Sequence, residues 1–185
     1  MQNRHRTQIA SGFLALSLAA IASTAAQAAN RPEDWPVRIE RESHDYVIDA
    51  EGRYVETVET ATKVLKTSGI DYARDSSIGY STSIQQADVL AAYTLKADGR
   101  RIDVPKGNFQ VSSSRGREGD SPIYSDRTSL TVVFPELAVG DTTVLQYRLT
   151  AKEPMFPGAF SVIDSFDPTS YYGDVRISID APVSL

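Results

Sequence analysis

Side chains that commonly act as nucleophiles or general bases are scarce in this sequence. There is no cysteine, and the two histidines are His5 and His44, so thiol chemistry, thiolate metal sites and clustered histidine ligation are excluded. His44 lies between Ser43 and Asp45 on a predicted strand, where neighbouring side chains point to opposite faces, so neither can flank its ring. No nucleophile-elbow motif occurs. We therefore predict no catalytic residue, and we interpret His44 as a surface or strand-edge side chain.

Carboxylates are the other groups that could support hydrolysis, because most glycosidases use a pair of them. The candidate acids on predicted strands are Glu40, Glu42, Glu56 and Glu59. Acids at such positions are typical of a solvated sheet face, so we expect these four to be exposed.

Calcium is the metal that best suits hard oxygen ligands in an exported chain. Asp164, Asp167 and Asp174 gather near residues 168–170, but no D-x-D-x-D-G loop occurs. We interpret these aspartates as turn-forming residues. The sequence thus predicts no metal site and no cofactor site.

Aromatic and arginine side chains outside the predicted strands are candidate partner contacts. Phe156 lies in a loop of little periodicity, and Tyr171 is followed by Tyr172. Exposed aromatic rings on a β-sandwich can stack on sugars or anchor a protein interface. Arg115 and Arg117 belong to a polar loop whose composition alone predicts mobility, but they could also meet an anionic ligand or the acidic face of a partner.

Strands must position these groups, because a period of two runs through most of the sequence. Gly52 and the Asp98–Gly99 pair supply hairpin turns. No helix is expected with certainty, although residues 87–92 fit one helical turn as well as a strand. Many short strands with regular turn signals predict an all-β, antiparallel β-sandwich. The predicted strands are 37–48, 54–65, 76–86, 89–95, 101–104, 129–134, 143–149, 160–166 and 174–180, with a further short strand around residues 109–111.

The N-terminus has the three zones of a cleavable signal peptide. Arg4 and Arg6 precede an apolar stretch over residues 9–22, and Ala26 with Ala28 forms an A-x-A site. A spanning helix needs about 20 predominantly apolar residues, so this shorter segment, rich in alanine and serine, predicts no stable membrane anchor. Without a cysteine there is no lipid attachment either. The predicted organisation is a signal peptide at 1–28, a linker at 29–36 and a β-sandwich domain at 37–185.

Charge and cysteine content narrow the partners of the exported chain. The full sequence has 19 basic and 24 acidic residues, and removing residues 1–28 takes away Arg4 and Arg6, which leaves 17 against 24 and a net charge of −7. An acidic domain disfavours nucleic acid and anionic lipid as partners. Since no disulfide can form, burial alone must hold the domain together.

Three segments occur in an order that resembles a known family. They are YTLKADG at 93–99, IYSD at 123–126 and VFPELAVGD at 133–141, and they combine with Tyr147 and residues 154–160. The sequence from about residue 40 to 185 resembles a bacterial domain family of unknown function that lies N-terminal to transglutaminase-like domains in exported proteins. This resemblance implies an immunoglobulin-like β-sandwich, a non-catalytic accessory role and a periplasmic location. The catalytic Cys-His-Asp set of such proteins lies in the downstream domain, so no catalytic residue is transferred to this sequence.

Two functional hypotheses follow. The first is a non-enzymatic, exported accessory domain, in the periplasm or outside the cell, that supports or positions a transglutaminase-like domain of the same or a neighbouring protein. The sequence ends at residues 181–185, directly after a predicted strand, which favours truncation at a domain boundary. The second is an independent cell-envelope module that binds glycan or protein. A hydrolase is a weaker third alternative, because so few catalytic side chains are present.

Overall fold

A computed structural model describes residues 35–113, 126–154, 156–168 and 170–183 of the protein. These residues form nine strands, one short helix and one 3-10 turn at Lys106–Asn108. The strands are β1 (Val37–Ile48), β2 (Tyr54–Val64), β3 (Asp75–Ser81), β4 (Gln85–Leu95), β5 (Arg101–Asp103), β6 (Phe109–Ser113), β7 (Arg127–Val133), β8 (Thr142–Ala151) and β9 (Val175–Asp180). The helix is α1 (Gly69–Ala73).

The strands form two sheets, which confirms the predicted all-β, immunoglobulin-like sandwich. The larger sheet has the order β5-β4-β8-β2-β1-β9, and the smaller has the order β3-β7-β6. Neighbouring strands are antiparallel except for β9, which runs parallel to β1. The predicted hairpins are present, since β1 pairs with β2 and β4 pairs with β5 across a turn in which Gly99 has a φ of 88°.

The main core lies between the smaller sheet and the β4–β8 half of the larger sheet. Its buried members are Ile78, Ala92, Val104, Val132, Phe134, Leu145 and Leu149. Tyr80 packs against this cluster, in phase with Ile78 as the alternation predicts. A smaller cluster of Val37, Val64 and Ala73 seats α1 on the end of the larger sheet. None of the described residues of β1 and β2 belongs to this main core, and we call their part the remaining half of the inner face.

A non-strand segment crosses this remaining half. We call it the covering segment: residues 160–172, apart from position 169. The predicted strand at 160–166 is therefore wrong, since these residues run over the sheet and pair with no strand. Contacts hold the segment in place. Ile39 N donates to Tyr171 O at 2.9 Å, and the rings of Phe160 and Tyr46 lie 5.8 Å apart.

Two further predictions differ from the structure. The predicted strand at 76–86 is interrupted by a turn at 82–84, so that it contributes to both β3 and β4. The α1 helix was not predicted, and packing explains it. A Cβ at Gly69 would lie 2.2 Å from Pro36 O, so the helix begins where only glycine permits close approach.

Within the described ranges, no helix is long and apolar enough to cross a membrane.

Candidate functional site

A β-bulge in β1 decides which side chains face the inside of the sandwich. The register of β1 with β2 shifts between Ile39 and Arg41. An extra residue reverses the side-chain alternation beyond it, so Glu42, His44 and Tyr46 share the inner face with Ile39. Tyr46 is 1% exposed as a result. The bulge thus turns polar side chains of β1 toward the interior.

β2 places a carboxylate against these residues. Glu56 pairs directly with Tyr46 in the hairpin and is 8% exposed. Its Oε1 atom lies 2.9 Å from His44 Nδ1 and accepts a hydrogen bond from the Tyr46 hydroxyl, also at 2.9 Å. Cross-strand partners on one face lie close enough for such direct contact.

The covering segment supplies the last member of the cluster. The Tyr46 hydroxyl lies 3.0 Å from Asp164 Oδ1 and 3.2 Å from Oδ2, and Glu42 Oε1 lies 3.4 Å from His44 Nε2. One ligand atom each of His44, Glu56 and Asp164 lies within 4.8 Å of the others. We call these five residues the His44 cluster: Glu42, His44, Tyr46, Glu56 and Asp164.

Aromatic rings surround the His44 cluster. The edge of Phe166 meets the His44 ring at a centroid distance of 6.3 Å, and Phe160 packs at 5.8 Å from Tyr46. Tyr172 packs in turn against Phe166 at 5.8 Å. These rings belong to the covering segment and limit the access of water to the polar groups beneath, which strengthens electrostatic interactions there.

The charges of the cluster follow from its hydrogen bonds. The bonds to Glu42 and then Glu56 raise the pKa of His44 to about 10, against the opposing effect of burial. His44 is therefore an imidazolium at neutral pH, and it donates from both ring nitrogens. Burial, followed by the hydrogen bond to Glu56, raises the pKa of Tyr46, so its phenol stays protonated. Burial likewise raises the pKa of the neighbouring Tyr147 hydroxyl.

The interpretation of His44 as a surface or strand-edge residue is wrong, because only 13% of its side chain is exposed and β1 lies between β2 and β9. The expectation that Glu56 solvates a sheet face is also wrong, since this residue is buried. Glu59, in contrast, forms an ion pair with the exposed Arg41 at 2.8 Å. Counting residue pairs outward from the β1–β2 turn would have placed Tyr46 opposite Glu56. The bulge, which turns His44 and Tyr46 to the inner face, has no signal in the sequence.

The three aspartates considered for calcium have different surroundings. Asp164 joins the His44 cluster, the backbone N of Asp167 donates to the Tyr172 hydroxyl at 3.2 Å, and Asp174 forms an ion pair with Arg176 at 3.1 Å. Across the described ranges, the one group of three or more potential metal ligands is His44, Glu56 and Asp164.

The predicted partner contacts are spread along the domain. Phe156 is 59% exposed, in a turn that contacts the β1–β2 turn. Tyr171 lies at the other end of β1, with the Arg38 guanidinium 5.0 Å from its ring centroid. Tyr172 is half-buried against Phe166. Arg115 and Arg117 fall outside the described residues, as do the predicted signal peptide and Met155.

A polar cleft opens beside the cluster. Its volume is about 410 Å³, and Glu42 contributes both to the cleft and to the cluster. Threonine side chains of β2 and β8 line it together with two tyrosine rings, one of which, Tyr72, is 58% exposed. The residues that line the cleft include Glu42, Thr60, Thr62, Tyr72, Thr143 and Tyr172. The cleft therefore gives the cluster a polar neighbourhood on one side.

A comparison with known protein families identifies the family of this domain. Residues 50–185, which are most of the chain, match a family described as a domain of unknown function with a solved structure (DUF3857). The chain belongs to the DUF3857 family. The predicted membership of a family of unknown function is thereby confirmed, while the association with transglutaminase-like domains stays a prediction. The matched range of the DUF3857 domain begins after β1, so it includes Glu56 and Asp164 but not His44.

Solved structures extend the comparison. A candidate protease from Parabacteroides distasonis, determined at 2.00 Å, is 21% identical and superimposes with a TM-score of 0.71 over 80% of this chain. This likeness supports the shared fold. This chain spans only 29% of the length of that protein. Among curated proteins, no sequence matches significantly.

Two carbohydrate-binding modules are more distant. The CBM3a-L domain of the cellulosomal scaffoldin CipA from Clostridium thermocellum is 11% identical, with a TM-score of 0.37 over 71% of this chain and 79% of that one. A family IIIa cellulose-binding domain from Clostridium cellulolyticum is 13% identical, with a TM-score of 0.31 over 60% of this chain and 72% of that one. TM-scores this low do not indicate a shared fold.

Proposed function

We propose that this protein is a non-catalytic, exported accessory domain that positions a transglutaminase-like domain of the same or a neighbouring protein. The Parabacteroides structure supports this role: a domain of the same fold makes up 29% of a candidate protease. The rest of the Parabacteroides protein is long enough to contain other domains. A rigid sandwich beside a catalytic domain is suited to hold it in place or to shape its substrate access.

The β9 edge is the surface that best suits such a partner. Val175, Ile177 and Ile179 alternate along this strand and are 40%, 47% and 56% exposed. Residues two apart on a strand share a face, so these three form one apolar stripe. β9 is also an edge strand, with backbone groups available to pair with another chain. A packed catalytic domain would remove both features from water.

A binding experiment tests this role. The full-length chain is titrated with the transglutaminase-like domain encoded in the same or an adjacent gene, and the affinity is measured by calorimetry. We expect Ile177→Lys and Ile179→Lys each to weaken binding about tenfold or more, the loss expected when a buried apolar contact is replaced by a charge. Val111→Lys is the control, because Val111 is 67% exposed on β6 in the other sheet. Absence of binding, or an equal loss with the control, would contradict the proposal.

The polar cleft favours a second candidate function, an independent glycan-binding module. Hydroxyl groups, the Glu42 carboxylate and the exposed Tyr72 ring are the kinds of groups that hydrogen-bond and stack on sugars. A glycan array with the full-length chain provides the test. We expect Tyr72→Ala and Tyr172→Ala to abolish the signal and Phe156→Ala to retain it. Loss with Phe156→Ala alone would assign sugar binding to the 156–159 turn instead.

A further inference from the structure

The His44 cluster holds more negative than positive charge. Glu42, Glu56 and Asp164 are three carboxylates, and the contacts that they make within the described chain are with His44 and Tyr46. His44 is the single basic side chain among these contacts. Even with His44 protonated, two negative charges stay uncompensated in a site that is covered by aromatic rings.

Such an excess is unfavourable away from water. Burying a carboxylate costs free energy unless a charge or hydrogen bonds compensate it. The Tyr46 hydroxyl provides one donor, which Glu56 and Asp164 share. A divalent cation that takes the place of the His44 proton would reduce the uncompensated negative charge from two to one, so the electrostatics of this site favour a bound metal ion.

The geometry also suits a metal ion. The candidate ligand atoms of His44, Glu56 and Asp164 lie within 4.8 Å of one another. Ligands at bond lengths of about 2.1 Å are separated by at most about 4.2 Å, so small side-chain rotations bring all three to one ion. Tyr46 bonds to both carboxylates and thereby orients them, as outer hydrogen-bond partners do in metal sites. Glu42, which also lines the polar cleft, gives the site access to solvent.

The donor atoms select the class of metal. An imidazole nitrogen with carboxylate oxygens suits first-row transition ions such as Zn²⁺ and Mn²⁺, whereas Ca²⁺ takes oxygen ligands. We propose that His44, Glu56 and Asp164 bind one divalent first-row transition-metal ion, which displaces a proton from the His44 ring and links the covering segment to the β1–β2 hairpin. This site is independent of the accessory role, because it requires no partner domain.

Calorimetry tests the proposal. The chelator-treated, full-length chain without a histidine tag is titrated with ZnCl₂ and, separately, with MnCl₂. We expect one equivalent of at least one of these ions to bind, and His44→Gln and Asp164→Asn each to lower the affinity about 10-fold or more. Asp45→Asn is the matched control, because Asp45 is an exposed acid on the same strand. No saturable binding of either ion, or equal affinity in the two ligand variants and the wild type, would overturn the proposal.

A second measurement does not depend on these variants, which also lose hydrogen bonds and could fold poorly. His5→Gln leaves His44 as the sole histidine of the chain. X-ray absorption at the edge of the bound metal then reports whether an imidazole is a ligand. We expect imidazole scattering together with oxygen ligands. A spectrum with oxygen ligands alone would reject His44 as a ligand and with it the proposed site.

Discussion

At the scale of single residues, the Tyr46 hydroxyl has an unusual position. It is the donor that Glu56 and Asp164 share, at 2.9 and 3.0 Å, and it lies on a side chain that is 1% exposed. Hydrogen bonds to charged acceptors are stronger than neutral ones, and a buried charge left without its donor bears a desolvation penalty. The phenol therefore connects the hairpin to the covering segment.

Removing that hydroxyl is the direct test of this connection. We expect Tyr46→Phe to lower the free energy of unfolding by about 1–3 kcal/mol, because two carboxylates lose a buried donor. Urea denaturation measures the change. Tyr72→Phe is the control, since Tyr72 is 58% exposed, and we expect it to have almost no effect. Equal stability of the two variants would mean that the Tyr46 hydrogen bonds contribute nothing net.

The protonation of His44 predicts how stability depends on pH. The groups facing its ring are Glu42 and Tyr46 on β1, Glu56 on β2, and Asp164 and Phe166 in the covering segment. Because the folded protein holds the proton of His44 up to a pKa of about 10, against an ordinary pKa of 6.5 for histidine, this stabilisation is complete below pH about 6.5. It is lost as the pH rises through 10.

We expect the free energy of unfolding of the chelator-treated protein to fall by on the order of 2–4 kcal/mol from pH 6.5 to 10. Denaturant titrations across this range measure it. In His44→Gln the decline should be much smaller, because the titrating group is absent. A wild-type stability that does not change over this range would show that His44 is not protonated in the folded state.

At the scale of the elements, two of the segments that carry the family resemblance form one corner of the sandwich. The Asp141 carboxylate accepts hydrogen bonds from Lys96 Nζ at 2.6 Å, from Ala97 N at 3.0 Å and from Ala138 N at 2.8 Å. It therefore joins the β4–β5 turn to the turn between β7 and β8. Asp141 is 2% exposed, so these segments have a structural role in this domain.

This corner predicts a large effect of one substitution. We expect Asp141→Ala to lower the free energy of unfolding by about 3–5 kcal/mol, because it removes the ion-pair partner of Lys96 and leaves two backbone donors without their acceptor. Thermal and urea unfolding both report the change. Asp98→Ala, in the adjacent turn, removes an acid whose side chain is 67% exposed and should cost about 1 kcal/mol or less. A loss in Asp141→Ala no larger than in Asp98→Ala would refute this role.

At the scale of the whole molecule, the predicted signal peptide leads to an expectation about the form of the protein in the cell. We expect cleavage after Ala28, so that the product begins at Ala29. Intact-mass analysis of the protein from the periplasmic fraction checks this, and Ala26→Arg with Ala28→Arg should leave the precursor uncleaved, because the peptidase accepts only small residues there. A cytoplasmic, unprocessed wild-type chain would contradict the prediction.

Most of the strands and the class of fold could be predicted from local patterns in the sequence. Period-two alternation and turn-forming glycines are local signals, so they indicated the β1–β2 and β4–β5 hairpins and the sandwich. The hairpin also pairs Tyr46 with Glu56, a register that could have been counted from the turn but was not predicted. The scarcity of catalytic side chains and the family resemblance are properties of the sequence alone.

The position where the polar groups meet depends on long-range packing and could not be predicted. The bulge between Ile39 and Arg41 reverses the side-chain alternation of β1. No residue type in this stretch indicates a bulge, so the burial of His44 was not predicted. Asp164 lies 118 residues from Tyr46 in the chain and reaches it because the segment after β8 crosses the sheet without forming a strand. Local periodicity contains no information about such long-range contacts, and the His44 cluster exists only through them.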